Sequence, residues 1–174
     1  MRPRLGAEDG FSLIELVIVC LILGVVLTGL VNVLVSGTRA QADDQGRAIA
    51  QQNTRLALDR LEYDARCATS ATLVGSGAGV SLSLPSQCSH ATGTVTWCVT
   101  GGVLTRYTVA SCTGSGQTFV SSVTSATPFS LLTGASGAGI LPRLQVGLTV
   151  DQTARSPDAF TIADAITLQN AARS

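Results

Sequence analysis

Few side chains in this chain could do chemistry: one histidine, five cysteines and 11 carboxylates in 174 residues. His90 stands in the loop-like stretch CSHATG with neither a carboxylate nor a thiolate pair nearby, so it reads as a surface residue and not as a base or ligand. There is no G-x-S-x-G elbow, no H-E-x-x-H, no Walker loop and no G-x-G-x-x-G before a helix. Gly75-Ser76-Gly77-Ala78-Gly79 has the composition of a phosphate loop but lacks the Lys-Ser/Thr and the helix that should follow it. Asp151, Asp158 and Asp164 do not have the spacing of a calcium loop. Trp97, in an alternating Thr/Val run, reads as packing. An enzyme has no residue set behind it, and neither a cofactor nor a metal is expected.

Four cysteines, Cys67, Cys88, Cys98 and Cys112, lie in the polar part of the chain, while Cys20 lies in an apolar run and reads as a small hydrophobe. Gaps of 21, 10 and 14 positions are unlike the close pairs of a zinc site. Four is an even number and suits two disulfides in an oxidising compartment, with three pairings open. If Gly101-Gly102 is a two-residue hairpin turn, position 91 falls opposite Cys112 and Cys88 comes near it. That favours Cys88–Cys112 with Cys67–Cys98.

One carboxylate, Glu15, stands at the entrance of the apolar run Phe11–Val35. From Leu16 to Val35 only Thr28 and Asn32 are polar. A bilayer-spanning helix needs ~20 such residues, and the run has no polar face of the kind a soluble core helix shows. A carboxylate costs roughly 2.5–3.5 kcal/mol at the centre of a membrane helix, which makes Glu15 a functional candidate. The plainer account is a capping box, Ser12-Leu13-Ile14-Glu15, with the carboxylate reaching back to the helix N-terminus. A cleavable secretory signal is a competing reading of the run, with small residues at Val35 and Gly37. Its apolar part would span only ~7–15 residues, however. An ordinary signal anchor leaves Glu15 unexplained.

The elements that must position these residues follow from periodicity. Arg39–Cys67 continues the helix in amphipathic form. Ile49, Leu56, Leu61, Tyr63 and Cys67 fall on one side at 100° per residue. Arg55, Asp59, Glu62 and Arg66 fall on the other. Arg55–Asp59, Arg60–Asp64 and Glu62–Arg66 are opposite-charge pairs four apart, each worth roughly 0.2–0.5 kcal/mol. Arg60 and Asp64 lie toward the apolar stripe, where they are expected to meet a neighbouring subunit. Helical signal stops after Cys67, and Ala68–Thr72 with Gly75, Gly77 and Gly79 reads as loop. Strands are expected at Val80–Leu84, Thr94–Thr100, Val103–Val109, Thr118–Val123, Leu144–Val150 and Phe160–Leu168. A loop is expected at Gly134–Gly139 and a turn at Ser156-Pro157-Asp158. One long helix before several short strands implies an α+β fold, with the helix packed on a small antiparallel β-sheet domain. Charged residues are only 13 % of the chain and the formal net charge is zero. Every basic residue is arginine, and no basic stripe suits phosphate contacts, so no nucleic-acid partner is expected.

The stretch Glu8-Asp9-Gly10-Phe11-Ser12-Leu13-Ile14-Glu15-Leu16 combines these features. A polar leader ends at Gly10, a large apolar residue follows, and a carboxylate stands fifth counted from Phe11. This resembles the class III signal of type IV prepilins and pseudopilins. The resemblance implies a peptidase cut between Gly10 and Phe11, N-methylation of Phe11, and retention of the apolar helix. A glycine before the cut suits an extended chain in a protease cleft. The resemblance further implies that Glu15 serves subunit assembly by meeting the amine of a neighbour's Phe11. An opposite charge relieves the cost of a buried carboxylate, and only one stagger of the subunits brings the two together.

The expected organisation is a leader at 1–10, a transmembrane and assembly half-helix at 11–35, an amphipathic half-helix at 36–70, and an extracytoplasmic β-rich domain at 71–174. Many major pilins carry a proline where this chain has Asn32. Trp97-Cys98-Val99, Leu104-Thr105-Arg106 and the tail Ile166–Asn170 are similar to J-type minor pseudopilins and W-type minor pilins, although Gln169 replaces a common arginine. The resemblance therefore implies a structural subunit, minor in kind, of a type IV pilus, type II secretion pseudopilus or competence-type filament. Its implied partners are a prepilin peptidase, other pilins or pseudopilins, an assembly platform protein with its ATPase, and membrane lipid before assembly. The implied location is the bacterial cell membrane, single-pass with the globular domain outside, and then a cell-surface or periplasmic filament. The alternative is a signal-anchored extracytoplasmic binding protein, which would keep its N-terminus or be cut near Gly37.

Overall fold

The structure, a computed structural model, describes residues 12–88, 92–132, 141–151 and 159–171. A single long helix, α1 (Leu13–Cys67), leads the chain. Its first turn closes through the backbone, with the amides of Glu15 and Leu16 donating to the Ser12 carbonyl at 3.0 and 3.2 Å. No proline interrupts it. It ends at Cys67, after which the Ala68 amide donates to the Ala65 carbonyl in a tightened last turn.

The chain divides into two units, one ending at Asp44 and one beginning at Gln45. In the first, the described residues are helix from Leu13 onward, and every one of them is exposed. The described residues of the second contain the rest of α1 and eight strands. Five form one antiparallel sheet in sequence order: β1 (Ser70–Val74), β2 (Gly79–Leu84), β3 (Gly93–Thr100), β4 (Val103–Tyr107) and β5 (Gly116–Val120). Three form a second: β6 (Phe129–Leu132), β7 (Arg143–Val150) and β8 (Phe160–Thr167). A bridge between Val123 and Val150 links the segment after β5 to β7. The fold is thus one long helix packed against antiparallel sheets, an α+β layout.

The core draws on both sheets and the helix. Val80, Leu82 and Leu84 alternate inward on β2, and Leu144, Val146, Leu148 and Val150 do so on β7. Burying each such side chain contributes roughly 1.5–3 kcal/mol. The Gly101-Gly102 turn is as expected: Thr100 pairs with Val103, and both glycines have positive φ, 59° and 75°. That is the backbone a two-residue hairpin demands.

Three expectations need correction. The helix does not pack through Ile49, Leu56 and Tyr63, which stay 58, 55 and 39 % exposed. It packs through Ala50, Thr54, Ala57, Leu58, Leu61, Asp64 and Ala65. Alanines let a sheet approach closely, whereas Ile49, Leu56 and Tyr63 recur every seven residues along a neighbouring line of the surface. Next, β1 lies where a loop is expected, and β6 is not foreseen. Both are short and flank glycine-rich or proline-containing turns. Lastly, Val103–Val109 stops at Tyr107, and the chain doubles back to pair Tyr107 with Gly116. The Gly134–Gly139 loop and the Ser156–Asp158 turn lie outside the described residues.

Candidate functional site

Two places matter: the N-terminal helix that could be handled by other proteins, and the helix end that fixes it to the sheets. Gly10 and Phe11 lie outside the described residues. Glu15 stands in the first turn of α1, with its side chain exposed. The first turn of α1 closes on the Ser12 carbonyl through backbone hydrogen bonds. Large aliphatics surround Glu15: Leu13, Ile14, Leu16 and Val17 are 82, 67, 59 and 47 % exposed. Among the described residues α1 is the one helix long and apolar enough to cross a membrane, and its apolar window is wholly unburied. A face this apolar requires lipid or protein around it.

At the other end of α1 lies a buried polar cluster. The Asp64 carboxylate is 1 % exposed. Arg106 Nε donates to its Oδ2 at 2.7 Å, and a terminal guanidinium nitrogen of Arg106 reaches Oδ1 at 3.4 Å. The Trp97 indole N–H donates to the same Oδ2 at 3.1 Å. Arg60 Nε, less buried, stands 3.9 Å from Oδ1. Asp64 thus meets its own sheet and not a neighbour, which corrects the expectation made for it. The register explains the geometry: Trp97 sits directly opposite Arg106 across the Gly-Gly hairpin. Counting back from that turn could have placed an arginine beside a buried tryptophan, and so pointed to a missing carboxylate. On the helix's outer side, Glu62 and Arg66 form an ion pair.

The cysteines complete the anchorage. Cys67, the last helical residue, is bonded to Cys88 in the β2–β3 connection, with Cα atoms 6.2 Å apart. Cys98 on β3 is bonded to Cys112 in the β4–β5 connection, at 5.8 Å. The favoured pairing Cys88–Cys112 with Cys67–Cys98 is therefore corrected. It assumed a hairpin running on past Tyr107, but the chain turns back there and carries Cys112 over Cys98. Asn170 in the C-terminal turn donates its side-chain amide to the Cys67 carbonyl at 2.9 Å, satisfying one of the helix's orphan acceptors. Cys20 is free and exposed.

An open trough of about 600 Å³ on the outer face of the second sheet is lined by Ser130, Gln145, Gly147, Ala163 and Asp164 among others. Asp164 is its ionisable residue, and its carboxylate accepts the amide of Ala165. His90 lies outside the described residues, and no group of three or more potential metal ligands occurs among those described.

Comparison with known proteins gives one match, and it falls on the N-terminal segment. Residues 6–31 match the family described as the prokaryotic N-terminal methylation motif. No curated protein and no solved structure matches the chain. The matched stretch contains the Gly10-Phe11 junction, Glu15 and most of the apolar run, and an apolar helix behind such a signal is the arrangement of a membrane-anchored protein. Residues 6–31 thus carry the class III signal of type IV prepilin-like proteins, and that motif supports a pilin-like or pseudopilin-like precursor.

Proposed function

We propose that this chain is a minor structural subunit of a type IV pilus, type II secretion pseudopilus or competence-type filament, not an enzyme. A prepilin peptidase would cut it after Gly10 and methylate Phe11. The apolar helix would hold it in the membrane, with the β-rich domain outside, until a platform protein and ATPase pass it to other pilins. The observation that carries this reading is the methylation motif at residues 6–31 on a helix whose aliphatic face is entirely uncovered. Two disulfides support an oxidising, extracytoplasmic setting for the domain. Glu15 is given the assembly role: paired with a neighbour's Phe11 amine, it would fix the axial stagger of subunits.

The test is a complementation assay scored for membrane level, processing and filament incorporation. Glu15→Leu should insert at least as well as the natural chain, because it removes a charge from an apolar helix. It should still be cleaved, and it should fail to enter filaments. Glu15→Gln separates charge from shape and should fail in the same way. Incorporation of both variants at the natural level contradicts the register role.

A further inference from the structure

β8 stands last in its sheet, and among the described residues no strand pairs with its other edge. The ladder to β7 fixes which of its backbone groups face that edge. The Leu168 amide donates to the Pro142 carbonyl at 3.0 Å, one step beyond the pairing of Thr167 with Arg143. Hydrogen-bonded pairs alternate along an antiparallel ladder, so Ile162, Asp164 and Ile166 turn their amides and carbonyls to β7. Thr161, Ala163, Ala165 and Thr167 turn theirs to the free edge. Two bonds agree with this: Gly147, opposite Ala163, gives its amide to the Pro128 carbonyl on the β6 side at 2.8 Å, and the Ala165 amide is bound by the Asp164 carboxylate at 2.7 Å.

A row of unpaired N–H and C=O groups is a template for a further strand. One strand suits β8 above others, and it is a second copy of β8. Thr161-Ile162-Ala163-Asp164-Ala165-Ile166-Thr167 reads the same in both directions. Two copies laid antiparallel about Asp164 set threonine against threonine, isoleucine against isoleucine and alanine against alanine. The backbone fits this register, because Ala163 of one copy meets Ala165 of the other and both present their polar groups outward. The pairing is two-fold symmetric, as most dimers are.

At the centre of that register, however, Asp164 faces Asp164. The two form a pair without backbone bonds, whose Cα atoms lie about 4.5 Å apart. Like charges directly opposite one another are destabilising. The same carboxylate also occupies the Ala165 amide that an added strand would need. A shift of two residues either way parts the carboxylates but sets each against an isoleucine. We propose that β8 is a self-complementary edge and that Asp164 keeps it from taking a second copy of this chain as a further strand. The guard belongs to the β-rich domain alone, so its test stands or falls independently of filament membership.

Sedimentation of the full chain in detergent micelles, over a concentration series, tests it. Asp164→Thr removes the charge and the bond to Ala165, and it should self-associate with a Kd about tenfold below that of the natural chain. Asp164→Asn is nearly isosteric at an exposed position and keeps an acceptor for the Ala165 amide. It loses only the charge, so its Kd should fall by about threefold. Adding Ala163→Pro to Asp164→Thr should restore the natural value, because proline removes an outward N–H and leaves the ladder to β7 intact. Association through the apolar helix is common to all these chains and cancels in the comparison. A Kd for Asp164→Asn or Asp164→Thr equal to that of the natural chain would overturn the proposal. So would tight association that survives Ala163→Pro, since it would not run through this edge.

Discussion

Asp64 places a carboxyl group at 1 % exposure, and the arrangement around it shows what that requires. Its two oxygens take donors from Arg106 and Trp97, with Arg60 close by. Removing one partner of a buried pair strands the other, at a cost of about 3–5 kcal/mol. We therefore expect Asp64→Ala to lower unfolding free energy by that much, read from urea denaturation of the domain. Replacing both partners, Asp64→Leu with Arg106→Met, should cost far less than the sum of the singles, because neither charge is then left alone. Additive losses in that cycle would mean the two residues act separately. What could be read from sequence alone was the motif defined by local spacing, Gly10, Phe11 and Glu15 at fixed offsets, and residues 6–31 match the methylation motif. Asp64 escaped because the burial of a charge depends on a strand more than forty residues away.

At the scale of elements, the sequence placed the long helix, the Gly101-Gly102 hairpin and six of the strands near their observed positions. It misjudged which face of the helix packs. Large residues signal burial strongly in a periodicity argument, yet here the sheets lie against Ala50, Ala57 and Ala65. The disulfide partners were missed for a related reason. Pairing was extrapolated along a straight hairpin, and β4 ends at Tyr107 before reaching the register assumed. Non-reducing peptide mapping should therefore recover Cys67–Cys88 and Cys98–Cys112, and recovery of Cys88–Cys112 would contradict the topology of β4 and β5. Each bridge constrains a short loop of the unfolded chain, so Cys67→Ser with Cys88→Ser should lower stability by about 2–4 kcal/mol in the same denaturation assay. The loss should fall at the helix end, where Cys67 also receives the Asn170 amide.

For the whole molecule, the chain combines an N-terminal helix whose aliphatic face is uncovered with a domain whose polar and covalent links are satisfied internally. Among the described residues no buried side-chain nitrogen or oxygen lacks a partner. What needs completion is the apolar segment, and under the proposed function that begins with a peptidase acting at the motif that residues 6–31 match. The most direct test is intact-mass measurement of the full chain after co-expression with a prepilin peptidase. The account predicts loss of residues 1–10 and a mature chain that starts at N-methylated Phe11 and retains the apolar helix. An N-terminus at or after Thr38 would show the apolar run to be a discarded secretory signal, and an unprocessed chain would show it to be a plain anchor; either result contradicts the account.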